Sequence, residues 1–181
     1  MNLITAAAIY VGDTATESGT RTMQFHIKGT GNKPIDIPIN LIPSFAAGET
    51  CVPGAFETGK TILINGRIYP EDNGPMYVVP TQPLQAVPAS TKLNQVVISG
   101  GCWLPDKQRR DDAINFLLLN SNAPPQKAIG HTYEKSLVFR MEAWKDDAER
   151  LKKFLYKGRQ LSIGGTLRFE NWVGKDGNRN V

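Results

Sequence analysis

Three tryptophans, Trp103, Trp144 and Trp172, all lie in the second half of the chain, and Arg140, Lys145, Arg168 and Lys175 are interleaved with them. Flat rings for bases to stack on, with cations along a phosphate path, are what sequence-tolerant binding of a single nucleic-acid strand needs. Phe139 stands beside Arg140 as a further candidate ring, and His131 sits with Tyr133 in a polar loop where it can meet a base. Lys107, Arg109 and Arg110 form a basic cluster shortly after Trp103; DNA contact and a plain solvated loop explain it equally. Trp172, flanked by Asn171 and followed by Gly174-Lys175-Asp176-Gly177, is expected to contact ligand, whereas Trp144 reads as platform or core with equal weight. Phe25 and Phe116, set among apolar strand neighbours, are expected in the core.

Other chemistry is absent or out of context. Gly54-Ala55-Phe56-Glu57-Thr58-Gly59-Lys60-Thr61 satisfies the phosphate-loop pattern G-x-x-x-x-G-K-[ST]. That cradle needs a helix N-terminus behind it, but Thr61-Ile62-Leu63-Ile64-Asn65-Gly66 is written as a strand, so nucleotide hydrolysis is not expected. Two histidines and two cysteines scattered along the chain offer no zinc ligand set, and no Ser, Cys or His has a nucleophile setting. The chain is therefore expected not to be an enzyme and to need no cofactor or metal.

The elements that must position the rings are written twice. Gly59-Lys60-Thr61-Ile62-Leu63-Ile64-Asn65-Gly66-Arg67-Ile68-Tyr69 corresponds, 99 positions on, to Gly158-Arg159-Gln160-Leu161-Ser162-Ile163-Gly164-Gly165-Thr166-Leu167-Arg168. Asn2-Leu3-Ile4 matches Asn94-Gln95-Val96, and Met23-Gln24-Phe25-His26-Ile27 is set against Ile114-Asn115-Phe116-Leu117-Leu118. The period is too long for a solenoid unit and fits two complete small domains, 1–88 and 93–181, with a linker at 89–92 that Pro80, Pro83 and Pro88 are expected to make stiff and extended. In the first copy strands are expected near 1–11, 21–28, 35–42, 61–69 and 76–79, the last extending towards Val87, with an irregular connection over 43–56. In the second they are expected at 93–101, 112–120, 136–144 and 160–171, with a hairpin turn at Lys175-Asp176-Gly177-Asn178. Asp146 or Asp147 is expected to cap a helix that buries Leu151, Phe154 and Leu155 and stops at Gly158. Three strands, a helix and a returning hairpin predict an all-β chain of two tandem OB-folds, five-stranded Greek-key barrels, the second with its helix between strands three and four. Because little sequence follows the second hairpin turn, the last strand of that barrel is expected to be incomplete, which reads most simply as truncation.

Composition divides along the same boundary. The 181 residues carry a net charge of +4, but residues 1–92 hold 6 Lys/Arg against 7 Asp/Glu and residues 93–181 hold 15 against 10. The second copy is thus the expected polyanion binder, since each phosphate contact releases condensed counterions. No apolar run approaches a membrane span and no leader pattern opens the chain, so a cytoplasmic, nucleoid-associated protein is expected, with Cys51 and Cys102 as free thiols.

Within the second copy, Leu93-Asn94-Gln95-Val96-Val97-Ile98-Ser99-Gly100, Ile114-Asn115-Phe116-Leu117-Leu118-Leu119-Asn120, Leu155 through Leu167, and Asn171-Trp172-Val173-Gly174-Lys175-Asp176-Gly177 resemble the bacterial single-stranded-DNA-binding protein family. The first copy resembles it more loosely, through Phe25 and Gly59–Tyr69. The resemblance implies a protein that coats single-stranded DNA without sequence preference in replication, recombination and repair, as an assembly presenting four OB domains. Two domains per chain then imply a homodimer. It also implies stacking at Trp144 and Trp172, with replication and repair proteins as further partners, although this chain carries no acidic recruiting tail. Two alternatives remain: an OB-fold interaction module whose face meets protein, and an RNA-binding OB protein.

Overall fold

The alternating pattern of the first copy folds into five strands that close on themselves. The computed structural model describes residues 1–15, 21–27, 37–41, 56–69, 76–105, 112–120, 137–168, 172–173 and 179–180. Strands β1 (Asn2–Ala15), β2 (Arg21–Ile27) and β3 (Ile37–Leu41) form an antiparallel meander. Strand β4 (Thr61–Tyr69) returns to pair with β1, and β5 (Tyr77–Pro80) closes the ring by pairing antiparallel with β4 and parallel with β3. The closure order β1-β2-β3-β5-β4-β1 is that of an OB-fold. The short β6 (Gln85–Ala86) adds to β4. Pro38 lies opposite His26 in the β2–β3 ladder.

The second copy repeats the plan. Strands β7 (Asn94–Trp103), β8 (Ala113–Asn120) and β9 (Leu137–Trp144) form the meander, α1 (Lys145–Lys152) follows, and β10 (Gln160–Gly165) returns to β7. Its order β10-β7-β8-β9 reproduces β4-β1-β2-β3. Strands β11 (Trp172–Val173) and β12 (Arg179–Asn180) pair with each other on either side of the expected hairpin turn, which itself lies outside the described residues.

The duplication read from sequence holds at the level of single hydrogen bonds. In the first copy Tyr10 N–H donates to Lys60 O (2.9 Å) and Gly59 N–H to Tyr10 O (2.8 Å); in the second Cys102 N–H donates to Arg159 O and Gly158 N–H to Cys102 O, both at 2.8 Å. Gly59 and Gly158 have φ of 87° and 86°, a left-handed turn that favours glycine and explains why the repeat keeps it. The buried Asn2 amide donates to Ile68 O (2.7 Å), and Asn94 in the corresponding place donates to Leu167 O (2.9 Å) and accepts from Leu167 N–H (3.0 Å). The two copies meet through β1 and β7, which pair antiparallel with Ile4 opposite Val96. These two residues are themselves equivalent in the repeat, so the junction is a two-fold interface within one chain, self-complementary as in an isologous dimer. Its flanking bonds keep that symmetry: Ser99 N–H donates to Met1 O (2.6 Å) and Ala7 N–H to Leu93 O (2.9 Å). One apolar core runs through both copies, from Ile4, Phe25 and Ile64 to Val96, Phe116 and Leu118.

Several expectations require correction. The strand-two match is offset by 93, not 91: Tyr10 faces Phe25 and its equivalent Cys102 faces Leu118, so Phe25 corresponds to Leu118. Both alignments keep the buried face, because a two-residue slip preserves strand parity. The fourth strand of the second copy ends at Gly165 rather than Asn171. Neither Asp146 nor Asp147 caps α1; Trp144 occupies the N-cap, where its side chain makes no capping bond to the helix, and both aspartates lie in the first turn, where they favour the positive end of the helix dipole. Helix α1 stops at Lys152, so Gly158 turns the chain into β10 rather than ending the helix. Of the three expected apolar residues only Leu151 lies on the helix, where it is half-buried; beyond the helix Leu155 is buried but Phe154 is 52 % exposed. The linker is not extended throughout, since Thr91 N–H closes a turn on Pro88 O (2.9 Å).

Candidate nucleic-acid interface

Strand alternation divides β8 and β9 between two environments. Phe116, Leu118, Leu137 and Phe139 enter the core, while Asn115, Leu117, Leu119, Val138, Arg140 and Glu142 occupy the outer face. The ladder sets Asn115 opposite Glu142, Leu117 opposite Arg140 and Leu119 opposite Val138, and β7 extends it by placing Trp103 opposite Leu117. Trp103, Leu117 and Arg140 therefore lie in one row across three strands, about 10 Å from end to end at ordinary strand spacing. The surface combines a ring, an apolar floor and a cation. Trp103 is 37 %, Leu119 39 % and Val138 42 % exposed.

The row ends in a shaped corner. Trp144 follows Glu142 on β9, is half-buried and sits opposite Ala113. Lys145 then adopts φ of 50°, left-handed backbone that costs a non-glycine residue about 1–2 kcal/mol. Its N–H donates to Asp112 O (2.8 Å), which ties the start of α1 to the start of β8. Lys145, which is exposed, thus follows Trp144 directly at a backbone position held by a hydrogen bond. Arg168, just beyond β10, reaches the same face, its Nη1 lying 3.8 Å from Glu142 Oε2. At that length the pair holds Arg168 only loosely, leaving it able to exchange a carboxylate for a phosphate.

Of the residues expected from sequence, Trp103, Arg140, Trp144, Lys145 and Arg168 come together on and around this sheet face. Phe139 does not; it is 8 % exposed and points into the core opposite Leu118, because its position in β9 has the inward parity. Trp172 opens β11, and Lys107, Arg109, Arg110, His131 and Lys175 lie outside the described residues. Sequence reasoning missed Leu117, Leu119 and Val138. The run Phe116-Leu117-Leu118-Leu119 is apolar throughout, so no alternation marked which pair faces out.

The remaining reactive groups have structural explanations. The phosphate-loop look-alike continues into β4 rather than a helix; Gly59 N–H is committed to Tyr10 O, and Lys60 Nζ pairs with Glu57 Oε2 at 3.3 Å. Burial pushes the free Cys102 thiol up, away from reactive thiolate, and Cys51 lies outside the described residues. Among the described residues no group of three or more His, Cys, Asp or Glu can hold a metal ion, and no helix is long and apolar enough to cross a membrane.

No protein-family model matches the sequence, and no curated protein does. Solved structures do. The crystal structure of the wild-type single-stranded DNA binding protein from Thermus aquaticus aligns over 92 % of this chain and 84 % of its own, with a TM-score of 0.60 and 17 % identity. A deletion mutant of that protein aligns over 92 % and 85 %, with a TM-score of 0.55 and 16 % identity. At such identities the likeness is one of fold: the chain has the all-β, tandem OB architecture of that protein.

Proposed function

We propose that this protein binds single-stranded DNA without sequence preference and without catalysis, serving replication, recombination and repair in the cytoplasm at the nucleoid. The observation that carries the reading is the row Trp103–Leu117–Arg140 on the outer face of strands one to three of the second OB unit, with Trp144 and Lys145 at its corner. An OB-fold uses this strand two and three surface for oligonucleotides. Bases stack on the indoles, the leucine floor excludes water beneath them, and Arg140, Lys145 and Arg168 meet phosphates. Trp172 and Lys175 on the final hairpin, the basic cluster Lys107, Arg109 and Arg110, and His131 extend the site in this reading. Two chains pair to present four OB units. The fold shared with the Thermus aquaticus protein supports the proposal without carrying it alone.

Titration with poly-dT at low salt is expected to quench tryptophan fluorescence, with affinity falling steeply as salt rises. Unchanged emission and no gel shift at low salt overturn the proposal. The exposed Leu119–Val138 pair favours a second reading, a face that meets another protein of a replication or recombination complex. Capture of a defined replication protein by a chain that binds neither DNA nor RNA would select it.

A further inference from the structure

The turn that follows α1 carries its own binding chemistry. Arg150, Lys152, Lys153, Lys157 and Arg159 fall within ten residues that contain no carboxylate. Between them Phe154 and Tyr156 are 52 % and 58 % exposed, an unusual place for two large rings. The Arg159 guanidinium lies over both, 5.6 Å from the Phe154 centroid and 5.0 Å from that of Tyr156, and its Nη1 donates to Phe154 O at 3.2 Å. Two rings and a cation are thus already arranged at the surface. Of the three lysines in this stretch, Lys152 alone pairs with a carboxylate among the described residues, Glu149 at 2.6 Å.

The first copy shows what this turn looks like without such chemistry. Tyr156 and Arg159 correspond to Glu57 and Lys60, which form an ion pair instead, and Leu155 corresponds to Phe56, whose ring packs edge-on against Tyr10. An internally neutralised turn in one copy stands where the other has a ring-faced cation beside Lys153 and Lys157, which have no carboxylate partner among the described residues. The turn also adjoins the sheet face, since Gly158 and Arg159 are hydrogen-bonded to Cys102, the residue before Trp103.

We infer that Tyr156, Arg159, Lys153 and Lys157 form a second single-strand contact site, which holds the nucleic acid after it leaves the Trp103–Arg140 row. A base stacks on Tyr156 while phosphates replace solvent around Lys153, Lys157 and Arg159. The site extends the proposed function and rests on it. An eight-residue helix spans about 12 Å, so α1 separates this contact from Trp144 by roughly two extended nucleotides.

The test compares full-length wild type, Tyr156→Ala and K153A/K157A on oligo-dT of about 8 and about 40 nucleotides, with affinities measured over a range of salt. Short oligonucleotides, which the sheet face accommodates, are expected to bind all three alike. On the long one Tyr156→Ala should lose about 5- to 160-fold, the range of one stacked base. K153A/K157A should flatten the plot of log affinity against log salt by about 1.4, the release expected for two single-strand phosphate contacts. If wild type binds neither oligonucleotide, the underlying function fails. If wild type binds and both variants match it on the long oligonucleotide, this inference alone is overturned. Loss in K153A/K157A without loss in Tyr156→Ala also overturns it, leaving a plain cationic surface.

Discussion

On the outer face of β2 and β3 the first copy shows Thr22, Gln24, His26 and Asn40; at the equivalent places the second shows Asn115, Leu117, Leu119 and Arg140. Inside, both copies keep apolar residues at the same parity, Phe25 against Ile39 in one and Leu118 against Phe139 in the other. The barrel plan depends on the inward residues and on a few turn and strand-end bonds, so those are kept in duplicate. Outward residues carry no such constraint and have diverged, one copy towards neutral polar groups and the other towards rings and charge. On the proposed function, the first unit is the architectural one in this division and the second carries the ligand chemistry.

The largest expected effect comes from erasing that difference. In the variant W103V/L117Q/R140N the second face takes the first copy's residues, and affinity for single-stranded DNA should fall by about 1–3 kcal/mol for each base that loses its stack. A filter-binding titration that matches wild type would mean that the faces are equivalent and the division is wrong. Thermal or urea unfolding should change little, because these three positions are outside the core.

A second difference concerns closure. A Cβ at Gly66 would meet Val79 O and Val78 Cγ1 at 2.6 Å each, because β5 crosses directly over it; at the equivalent Gly165 a Cβ meets nothing within 4 Å among the described residues. Gly66→Ala should therefore cost about 1–3 kcal/mol of stability through overpacking against backbone. Gly165→Ala should be close to neutral or stabilise by a few tenths of a kcal/mol. Equal urea midpoints for the two variants would show that the second unit is as tightly closed over its fourth strand as the first.

The smallest effect distinguishes the equivalent residues Tyr10 and Cys102. Burial first, then the hydrogen bond to Asp13 at 2.7 Å and the charge of that carboxylate, pushes the Tyr10 hydroxyl from 10.0 up to about 12. The folded state holds this proton more tightly than the unfolded chain, so the stability it contributes is complete below pH 10 and is lost as the pH rises towards 12. Tyr10→Phe should flatten the decline of unfolding free energy over that interval, measured by urea melts. A decline of unchanged slope would place the alkaline lability in other groups.

Much of this was legible from the chain itself, and its limits have physical causes. Strand β4 over Thr61–Tyr69 was read to its ends, because a left-handed glycine begins it and a period-two pattern fills it. The helix was found but its cap was not: Asp146 and Asp147 have the chemistry of capping residues, yet the helix starts at Lys145, in left-handed backbone, and its cap falls two or three residues earlier, on Trp144. Phe139 and Trp144 both looked like rings on strand three, yet opposite parity sends the first to the core and leaves the second half-exposed. Phe154 fitted the helical apolar face, but the helix ended before reaching it, and Arg159 took its ring instead.

Local pattern determined that this protein is a duplicated all-β chain with its tryptophans and positive charge gathered in the second copy, because alternation, turn glycines and charge are written residue by residue. Only the tertiary structure decided that β1 and β7 join the copies through a two-fold ladder, that Trp103, Leu117 and Arg140 share one row, and that Arg168 reaches Glu142 from another element. Those contacts depend on strand register and on which of two faces is buried. Neither is set by a residue's own neighbours, since every strand offers two faces and the core chooses between them when the barrel closes.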